Sequence, residues 1–252
     1  MYEEQPLDGG KTSGEVVRVG STVRKPYTSS TPHVVEFMSA VRDAGVNVPA
    51  AFGRDDRGRQ IFEYIPGKLA LHSEPLTRPE LRRIGAIVRA IHDASRDFSP
   101  APEASWTTAI PAPGEDFICH NDLAPWNLII GERWVFIDWD ASAPSTRLWD
   151  LAYAAQAFTL SNVGLAPDEA ATNLAAFVDG YGADQQLRAE LPDAMNRRTA
   201  AMYDLLSSSH ESGREPWASM YVAGHGSHWH SATRYVERHQ DLWLEVLRPT
   251  AR

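Results

Sequence analysis

Three oxygen-bearing side chains stand close together in the middle of the sequence, in and just after the stretch ICHNDLAPWNLII at 118–130. Asp122 and Asn127 occupy a polar loop between two apolar runs, and Asp138 ends the next apolar run. A carboxylate at the end of a buried strand is costly unless a cation or another partner compensates its charge. Carboxylate and amide oxygens are the hard ligands that Mg²⁺ takes, with phosphate and water in its remaining positions. The pattern therefore predicts a magnesium and phosphate site, in which Asp122 is able to accept a proton.

The spacing of these residues is typical of phosphoryl transfer. His120 stands two residues before Asp122, and Asn127 stands five residues after it. Kinase-type enzymes use this order and place a second metal-binding Asp on the next hairpin, where this chain has Asp138. Taken alone, the motif has a plainer interpretation, a polar hairpin loop whose Asp caps a turn.

The first 66 residues have the pattern of a small β-rich lobe. Two β-branched runs meet at Gly20-Ser21, a plausible hairpin turn, and two further strands are predicted within 50–65. A helical pattern opens at Thr31-Pro32 and stops at Gly45. Pro66-Gly67 then breaks the chain, and we place the end of this lobe there.

Residues 67–252 are predicted to form a larger, mostly helical lobe. Apolar residues repeat at helical spacing after Thr77 and through most of the chain beyond residue 145. Between these stretches lie a loop rich in Pro, Ala and Ser and three short strands that carry the polar loop. The fold class is therefore α+β, with one lobe at 1–66 and one at 67–252. A cleft between two such lobes is a common place for a ligand site.

The order of the motifs resembles the aminoglycoside phosphotransferase family, the small-molecule branch of the protein-kinase-like fold. The resemblance rests on RRIGAIVRAIHDAS, the His-Asp-Asn loop, IDWD and RLWDLAYAA, which follow one another in the family's order over most of the chain. It implies a kinase that uses Mg²⁺ and transfers the γ-phosphate of ATP or GTP to a hydroxyl group of a small molecule. By this likeness Asp122 is the catalytic base, and Asn127 and Asp138 are the metal ligands.

The same likeness implies supporting roles for neighbouring residues. His120 braces the loop, and Asp150, within RLWDLAY, fixes it. Asp140 either supports the metal ligands or faces the substrate. Trp126 and Trp139 adjoin the site and are candidates for stacking on the substrate, although core packing is the more common fate of Trp.

The amino-terminal lobe is expected to hold the nucleotide. Either Arg24 or Lys25 takes the place of the family's lysine for the α- and β-phosphates, and we favour Arg24 because it continues the alternation of the neighbouring valines. Glu36, on the following helix, is the expected ion-pair partner. The turn LDGGKTSGE at 7–15 would cover the phosphates, although it lacks GxGxxG. The expected hinge, whose backbone groups would pair with the purine edge, consists of Glu63, Tyr64 and Ile65.

Two other functions remain open within the same fold. A catalytically silent nucleotide-binding protein that regulates a partner is favoured by the irregular glycine turn, and it is opposed by the intact Asp122, Asn127 and Asp138. A protein kinase is disfavoured by Ala124, since protein kinases generally carry Lys there, and by the short segment between IDWD and the next helix. Aminoglycosides, choline-like compounds, sugars, amino alcohols and macrolides all stay open as acceptors.

Three further motifs predict no chemistry. GGKTSG lacks the first glycine and the preceding strand of a Walker A loop. The three His of GHGSHWH (224–230) lack a completing zinc ligand, so a helix start or surface loop is expected, with the acceptor pocket as another option. Cys119 lies in an apolar run with no base aimed at it, which favours a buried inert thiol.

Composition indicates the class of protein and its partners. The chain has 252 residues and a formal net charge of −9, which argues against nucleic-acid binding by general phosphate attraction. Its single Cys excludes an internal disulfide. The first residues are too acidic for a secretory signal, and no apolar run approaches the length of a membrane span. We therefore expect a cytoplasmic protein whose partner is a small-molecule hydroxyl acceptor, with no nucleic-acid, membrane or obligate protein partner.

Overall fold

The computed structural model describes residues 3–7, 15–73 and 75–248, and the elements follow the predicted order. The strands among these residues are β1 (Gln5–Pro6), β2 (Val17–Val19), β3 (Thr22–Lys25), β4 (Ala51–Arg54), β5 (Gln60–Glu63), β6 (Lys68–Leu69), β7 (Phe117–Cys119), β8 (Leu128–Ile130), β9 (Trp134–Phe136) and β10 (Ala143–Ser145). The α-helices are α1 (Thr31–Asp43), α2 (Arg78–Ser95), α3 (Arg147–Thr159), α4 (Pro167–Tyr181), α5 (Gln185–Ser212), α6 (Trp217–Met220), α7 (Gly226–Arg238) and α8 (Gln240–Leu247).

The amino-terminal strands form one antiparallel sheet in the order β1-β2-β3-β5-β4. β2 and β3 are joined by the hairpin predicted at Gly20-Ser21, where Gly20 has a φ of 62°. α1 follows β3 and turns one face inward, with Val34, Phe37 and Met38 buried. The predicted α+β class, with a small β-rich amino-terminal part and a larger helical part, is confirmed. The lobe boundary at residue 66 stays a prediction.

Two small sheets in the helical part carry the polar loop. β7 pairs with β10, and β8 lies between β6 and β9. The loop at 120–127 leaves one sheet and enters the other, so both of its ends are fixed by strand pairing. β1, β6 and β10 are only two or three residues long. Such short strands show too little alternation to be predicted from sequence, and they were not.

The helical part is built around a close contact between α2 and α4. A Cβ on Gly85 would lie 2.1 Å from the carbonyl oxygen of Phe177, and one on Gly180 would lie 2.0 Å from that of Arg82. Real Cβ atoms do not approach backbone oxygen this closely, so the two helices touch backbone to backbone only because both positions are Gly. One continuous core joins these helices to α1 and the amino-terminal sheet. No helix among the described residues has the length and apolarity to cross a membrane.

Gly85→Ala is expected to lower the free energy of unfolding by roughly 1–3 kcal/mol, because α2 and α4 must move apart. Helix propensity alone favours Ala over Gly by about 0.5–1 kcal/mol. A loss of stability in this variant would therefore come from the contact between the helices. Denaturant unfolding of the variant measures the effect. Ala86→Ser adds one heavy atom to the exposed neighbour on the same helix, and we expect a change within about 0.5 kcal/mol. Equal stability of the two variants would contradict the close contact.

Candidate active site

His120 is buried and stabilises the loop through two hydrogen bonds. Its Nδ1 accepts a hydrogen bond from the Asp122 backbone N–H at 3.3 Å, and its Nε2 donates to the carbonyl oxygen of Ile137 at 3.3 Å. Burial lowers the pKa of the imidazole, which is therefore neutral and able to accept at one nitrogen and donate at the other. His120 thus ties the loop to the strand end that carries Asp138.

Asp150, near the start of α3, stabilises the backbone of the loop through a hydrogen bond. Asn121 has a left-handed backbone, with a φ of 63°, and its N–H donates to Asp150 Oδ1 at 2.9 Å. The other carboxylate oxygen of Asp150 lies 3.1 Å from His92 Nε2 on α2. A non-glycine residue holds this conformation only when its surroundings enforce it. The geometry therefore supports the predicted loop-fixing role of Asp150 and adds His92 to the support.

Asp122 lies at the centre of the site with a donor on each carboxylate oxygen. Asn127 Nδ2 donates to Oδ2 at 2.7 Å, and the Tyr153 hydroxyl donates to Oδ1 at 3.0 Å. Burial and the nearby charge of Asp138 outweigh these donors and raise the pKa of Asp122 to about 6. A carboxylate whose pKa lies this close to neutrality is well suited to take up a proton.

Asn127 presents its amide oxygen away from Asp122. Its Nδ2 is held between two acceptors, the backbone oxygen of Asp122 at 2.9 Å and the carboxylate of the same residue. Because both neighbours are acceptors, the amide must turn its NH₂ group toward them, which fixes the assignment of nitrogen and oxygen. The amide oxygen is therefore turned away from Asp122, and its role as a metal ligand stays a prediction.

Asp138 reaches the same place from the end of β9. Its backbone is left-handed, with a φ of 60°, and its Oδ1 lies 2.5 Å from Lys25 Nζ. Asp140 also contacts that nitrogen, at 2.6 Å, through a side chain that remains 47% exposed. Burial opposes the ammonium, yet the two carboxylates outweigh it and raise the pKa of Lys25. Burial would likewise raise the pKa of Asp138, but Lys25 lowers it. The structure thus brings a lysine and two carboxylates together between the sheet and the helical part.

The preference for Arg24 over Lys25 is wrong. Arg24 pairs across the sheet with Val17 and Ile61, whereas Lys25 lies on the opposite face with Val23. Cross-strand partners share a face and neighbours along a strand alternate. Arg24 therefore does continue the face of Val17, but that face points away from Asp138. Its guanidinium instead contacts the Thr22 hydroxyl at 2.6 Å.

The expected ion pair with Glu36 is not formed by the described residues. Glu36 is exposed on α1, and the inward face of that helix consists of Val34, Phe37, Met38 and Val41. The helical period places Glu36 on the opposite side of the helix from these residues. The carboxylates within ion-pair distance of Lys25 are those of Asp138 and Asp140.

Lys25→Met is expected to reduce phosphoryl transfer at least about tenfold, because it removes the positive charge beside Asp138. Arg24→Met makes the same chemical change one residue earlier on the outer face, and we expect an effect below about twofold. Steady-state kinetics with nucleotide as the varied substrate compares the two. A larger loss for Arg24→Met than for Lys25→Met would contradict the placement of Lys25.

The two tryptophans near the loop have different surroundings. Trp139 is 2% exposed, donates from Nε1 to the Phe136 carbonyl at 3.0 Å, and packs on His120 with ring centroids 4.6 Å apart. A stacking role on substrate is therefore wrong for Trp139, because its ring lies in the core. Trp126 is half-buried and meets Tyr153 edge to face, with centroids 6.3 Å apart. Substrate contact by Trp126 stays a prediction.

The predicted hinge residues Ile65 and Glu63 have different partners. Ile65 packs with Ile129 and Val135 in an apolar cluster that also contacts Ile137, the residue before Asp138. Glu63 instead points outward, where it accepts from the Ala50 N–H at 3.2 Å and forms an ion pair with Arg133.

A cavity of about 880 Å³ adjoins the hinge and is lined by Thr22 and by all three predicted hinge residues, Glu63, Tyr64 and Ile65, among others. Thr22 and Glu63 are cross-strand partners, so they lie on the sheet face opposite Lys25. This cavity is therefore separate from the cluster at Asp138. The purine contacts of Glu63, Tyr64 and Ile65 stay predictions.

Two sequence predictions concern segments at the edge of the site. Most of the turn predicted at 7–15 lies outside the described residues. GHGSHWH begins in a π-helical turn, Tyr221–His225, and continues into α7, so the predicted helix start is present. His228 lies 3.2 Å from the Ser161 hydroxyl, and His230 packs on Tyr203. The described residues do not bring the three imidazoles together as a metal cluster.

Sequence reasoning missed two residues that touch the loop. Tyr153 stands three residues after Asp150, one helical turn further along α3, and this spacing could have indicated it. Arg198, in the middle of α5, is 5% exposed, and its guanidinium lies 4.2 Å from the centre of the Tyr153 ring. Nothing in the local sequence distinguishes Arg198 from its exposed neighbour Arg197, so only the fold reveals it.

Residues 101–193, which contain the loop, Asp138 and Asp150, match the model of the family described as Phosphotransferase enzyme family (APH). This match supports a phosphotransferase, and the fold is kinase-like. The match also confirms the resemblance to aminoglycoside phosphotransferases that was predicted from the sequence.

Individual proteins resemble the chain over most of its length. The trifolitoxin immunity protein of Rhizobium leguminosarum bv. trifolii is 27% identical over 231 residues, which are 86% of this chain and 87% of that protein. The microcompartment-associated aminopropanol kinase has a similar structure, with a TM-score of 0.65, 14% identity and coverage of 95% of this chain and 93% of the other. The amicoumacin kinase hAmiN, solved with AMP-PNP, Ca²⁺ and Ami, has a TM-score of 0.67 at 12% identity, covering 93% and 88%. At these identities the solved structures show a shared fold.

Proposed function

We propose that this protein is a Mg²⁺-dependent kinase that transfers the γ-phosphoryl group of ATP or GTP to a hydroxyl group of a small molecule. The observation that carries the proposal is the convergence of Asp122, Asn127, Asp138 and Lys25. They come from a loop, a strand end and a separate sheet, and their functional groups meet in one place. Phosphoryl transfer depends mainly on such positioning and on charge.

The donor set fits a divalent cation. Asn127 has an amide oxygen turned away from Asp122, Asp138 has a carboxylate beside Lys25, and all of these donors are hard oxygens. Asn127 and Asp138 would hold Mg²⁺, which when bound would neutralise charge on the phosphates. Lys25 would contact the phosphates, with Asp140 supporting it. The apolar cluster at Ile65 would receive the purine.

Asp122 would act on the acceptor. Its carboxylate takes the proton of the acceptor hydroxyl as the oxygen forms a bond to the γ-phosphorus, and the bond from that phosphorus to the bridging oxygen breaks. The products are a phosphate ester and the nucleoside diphosphate. Asn127 and Tyr153 orient the base through their hydrogen bonds, while His120 and Asp150 hold the backbone on either side of it.

Aromatic side chains form a cluster next to the loop that carries Asp122. Ala124, Tyr153 and Trp229 are buried in a cluster beside the loop, and half-buried aromatic rings pack against them. The half-buried rings of this set are those of Trp126, Tyr203, Trp217 and Tyr221. Aromatic rings offer large flat contact area. They support an acceptor that places an apolar or ring group next to its hydroxyl.

The direct test is a panel of hydroxyl compounds incubated with γ-labelled ATP or GTP and Mg²⁺ and analysed by product mass. The proposal expects a phosphorylated product whose formation needs Mg²⁺ and is lost in Asp122→Asn. A silent nucleotide-binding protein is the alternative. Nucleotide binding without any phosphorylated product, and without slow nucleotide hydrolysis that depends on Asp122, would favour that alternative.

A second candidate function is protection against a toxic compound. The similarity to a trifolitoxin immunity protein over 86% of the chain favours it. Phosphorylation of a hydroxyl on the toxin would unite both functions. Expression in a toxin-sensitive strain tests this candidate. Protection by the wild type that disappears in Asp122→Asn supports enzymatic modification, whereas protection that persists in the variant supports binding alone.

A further inference from the structure

Arg198 is a buried cation without a direct carboxylate partner among the described residues. It is 5% exposed, its Nη1 has no hydrogen-bond partner there, and its Nη2 is 3.5 Å from the Asn121 carbonyl oxygen. Removing a guanidinium from water costs several kcal/mol unless other interactions compensate it. Burial accordingly lowers its pKa. A packing role alone would be filled at less cost by an apolar side chain, which indicates that the charge itself has a role.

The contacts of Arg198 lead to Asp122 by two routes. Its guanidinium lies 4.2 Å from the centre of the Tyr153 ring, and the Tyr153 hydroxyl donates to Asp122 Oδ1 at 3.0 Å. Its Nη2 also faces the carbonyl of Asn121, the residue that precedes Asp122 and has the left-handed backbone. A cation over a phenol ring draws electron density from the ring and makes the hydroxyl a stronger donor. Arg198 therefore acts on both the side chain and the backbone that position the carboxylate.

We propose that Arg198 and Tyr153 are positioning residues that hold the carboxylate of Asp122 for catalysis. This inference rests on the proposed function. Tyr153 fixes one carboxylate oxygen while Asn127 fixes the other. Arg198, on α5, provides a positive charge that attracts the same carboxylate.

The test measures kcat and KM for Arg198→Met, Arg198→Lys, Tyr153→Phe and the double variant Arg198→Met/Tyr153→Phe. We expect kcat to fall about tenfold or more in Arg198→Met and in Tyr153→Phe, with nucleotide KM changed less than about twofold. Arg198→Lys should recover part of kcat because it keeps the charge. The loss in the double variant should be smaller than the product of the two single losses, because part of the effect of Arg198 passes through the Tyr153 hydroxyl.

Arg197→Met is the matched control, since it makes the same change one residue earlier at a side chain that is 53% exposed. Its kcat should equal that of the wild type. If Arg198→Met fails to fold, the proposal is tested with Tyr153→Phe and Arg198→Lys. Normal kcat in Tyr153→Phe overturns the proposal by itself. Normal kcat in a folded Arg198→Met, or fully multiplicative losses in the double variant, also overturns it. A wild type that transfers no phosphate contradicts the proposed function, whereas an active wild type matched by both single variants contradicts only this inference.

Discussion

Asp122→Asn is expected to reduce phosphoryl transfer at least about 100-fold while nucleotide affinity stays nearly unchanged. Asn preserves the shape of the side chain but cannot take the proton of the acceptor hydroxyl. General-base catalysis of this kind typically contributes about 10²–10⁴-fold. Product formation from γ-labelled nucleotide measures the loss, and calorimetric titration of a non-hydrolysable nucleotide measures affinity. A loss below about tenfold would show that Asp122 is not the base.

The same substitution is expected to stabilise the fold increasingly as the pH rises. The pKa of Asp122 is raised to about 6 in the folded protein, chiefly by burial and then by Asp138. A carboxyl group with a raised pKa binds its proton more tightly when folded, so its ionisation costs stability. That cost appears as the pH rises from about 4 through about 6, and it is at most about 3 kcal/mol. Contact of the carboxylate with water reduces this cost of ionisation.

Thermal unfolding from pH 4 to pH 8 tests this expectation. Asp122→Asn should gain stability relative to the wild type across that range, with most of the gain between about pH 4 and pH 6. Asp97→Asn, at an exposed position after α2, is the control and should track the wild type at every pH. A constant difference between Asp122→Asn and the wild type would contradict the burial of a charged carboxylate in the site.

Asp138→Asn is expected to reduce turnover at least about 100-fold by removing the charged ligand of the cation. The side chain keeps its volume and one oxygen, but it no longer opposes the charge of Lys25 or binds a divalent cation strongly. Raising the Mg²⁺ concentration should recover part of the activity, because the lesion lies in metal binding. Initial rates over a range of Mg²⁺ concentrations measure both effects.

Asp140→Asn is the matched comparison for Asp138→Asn. Both residues contact Lys25 Nζ, at 2.6 Å and 2.5 Å, but Asp140 is the more exposed of the two. We expect a clearly smaller loss for Asp140→Asn and no change in the Mg²⁺ requirement. Similar losses with an unchanged Mg²⁺ requirement in both variants would mean that Asp138 serves only as the partner of Lys25.

The sequence was sufficient for the parts of the site that are local in the chain. Asp122 and Asn127 lie on one loop, and the loop is flanked by apolar strands, so their spacing predicts their proximity. Asp138 was predictable for a similar reason, because it ends the strand that pairs with the strand after the loop. The capping residues and helix periods also predicted α1, α2 and the later helices.

The parts that depend on long-range geometry were not predictable. Arg24 and Lys25 differ only in the face of β3 that they occupy, and alternation along a strand does not tell which face meets the other half of the molecule. Trp139 adjoins Asp138 in sequence, yet the turn after β9 directs its ring into the core. Arg198 reaches the loop only because α5 packs on α3, a contact between residues far apart in sequence.

The most direct test is a crystal structure of the protein with Mg²⁺ and a non-hydrolysable ATP analogue. The proposed function predicts a cation bound by the amide oxygen of Asn127 and the carboxylate of Asp138, with Lys25 on the phosphates and Asp122 facing the γ-phosphate. A nucleotide bound elsewhere, or a cation that contacts neither Asn127 nor Asp138, would contradict it.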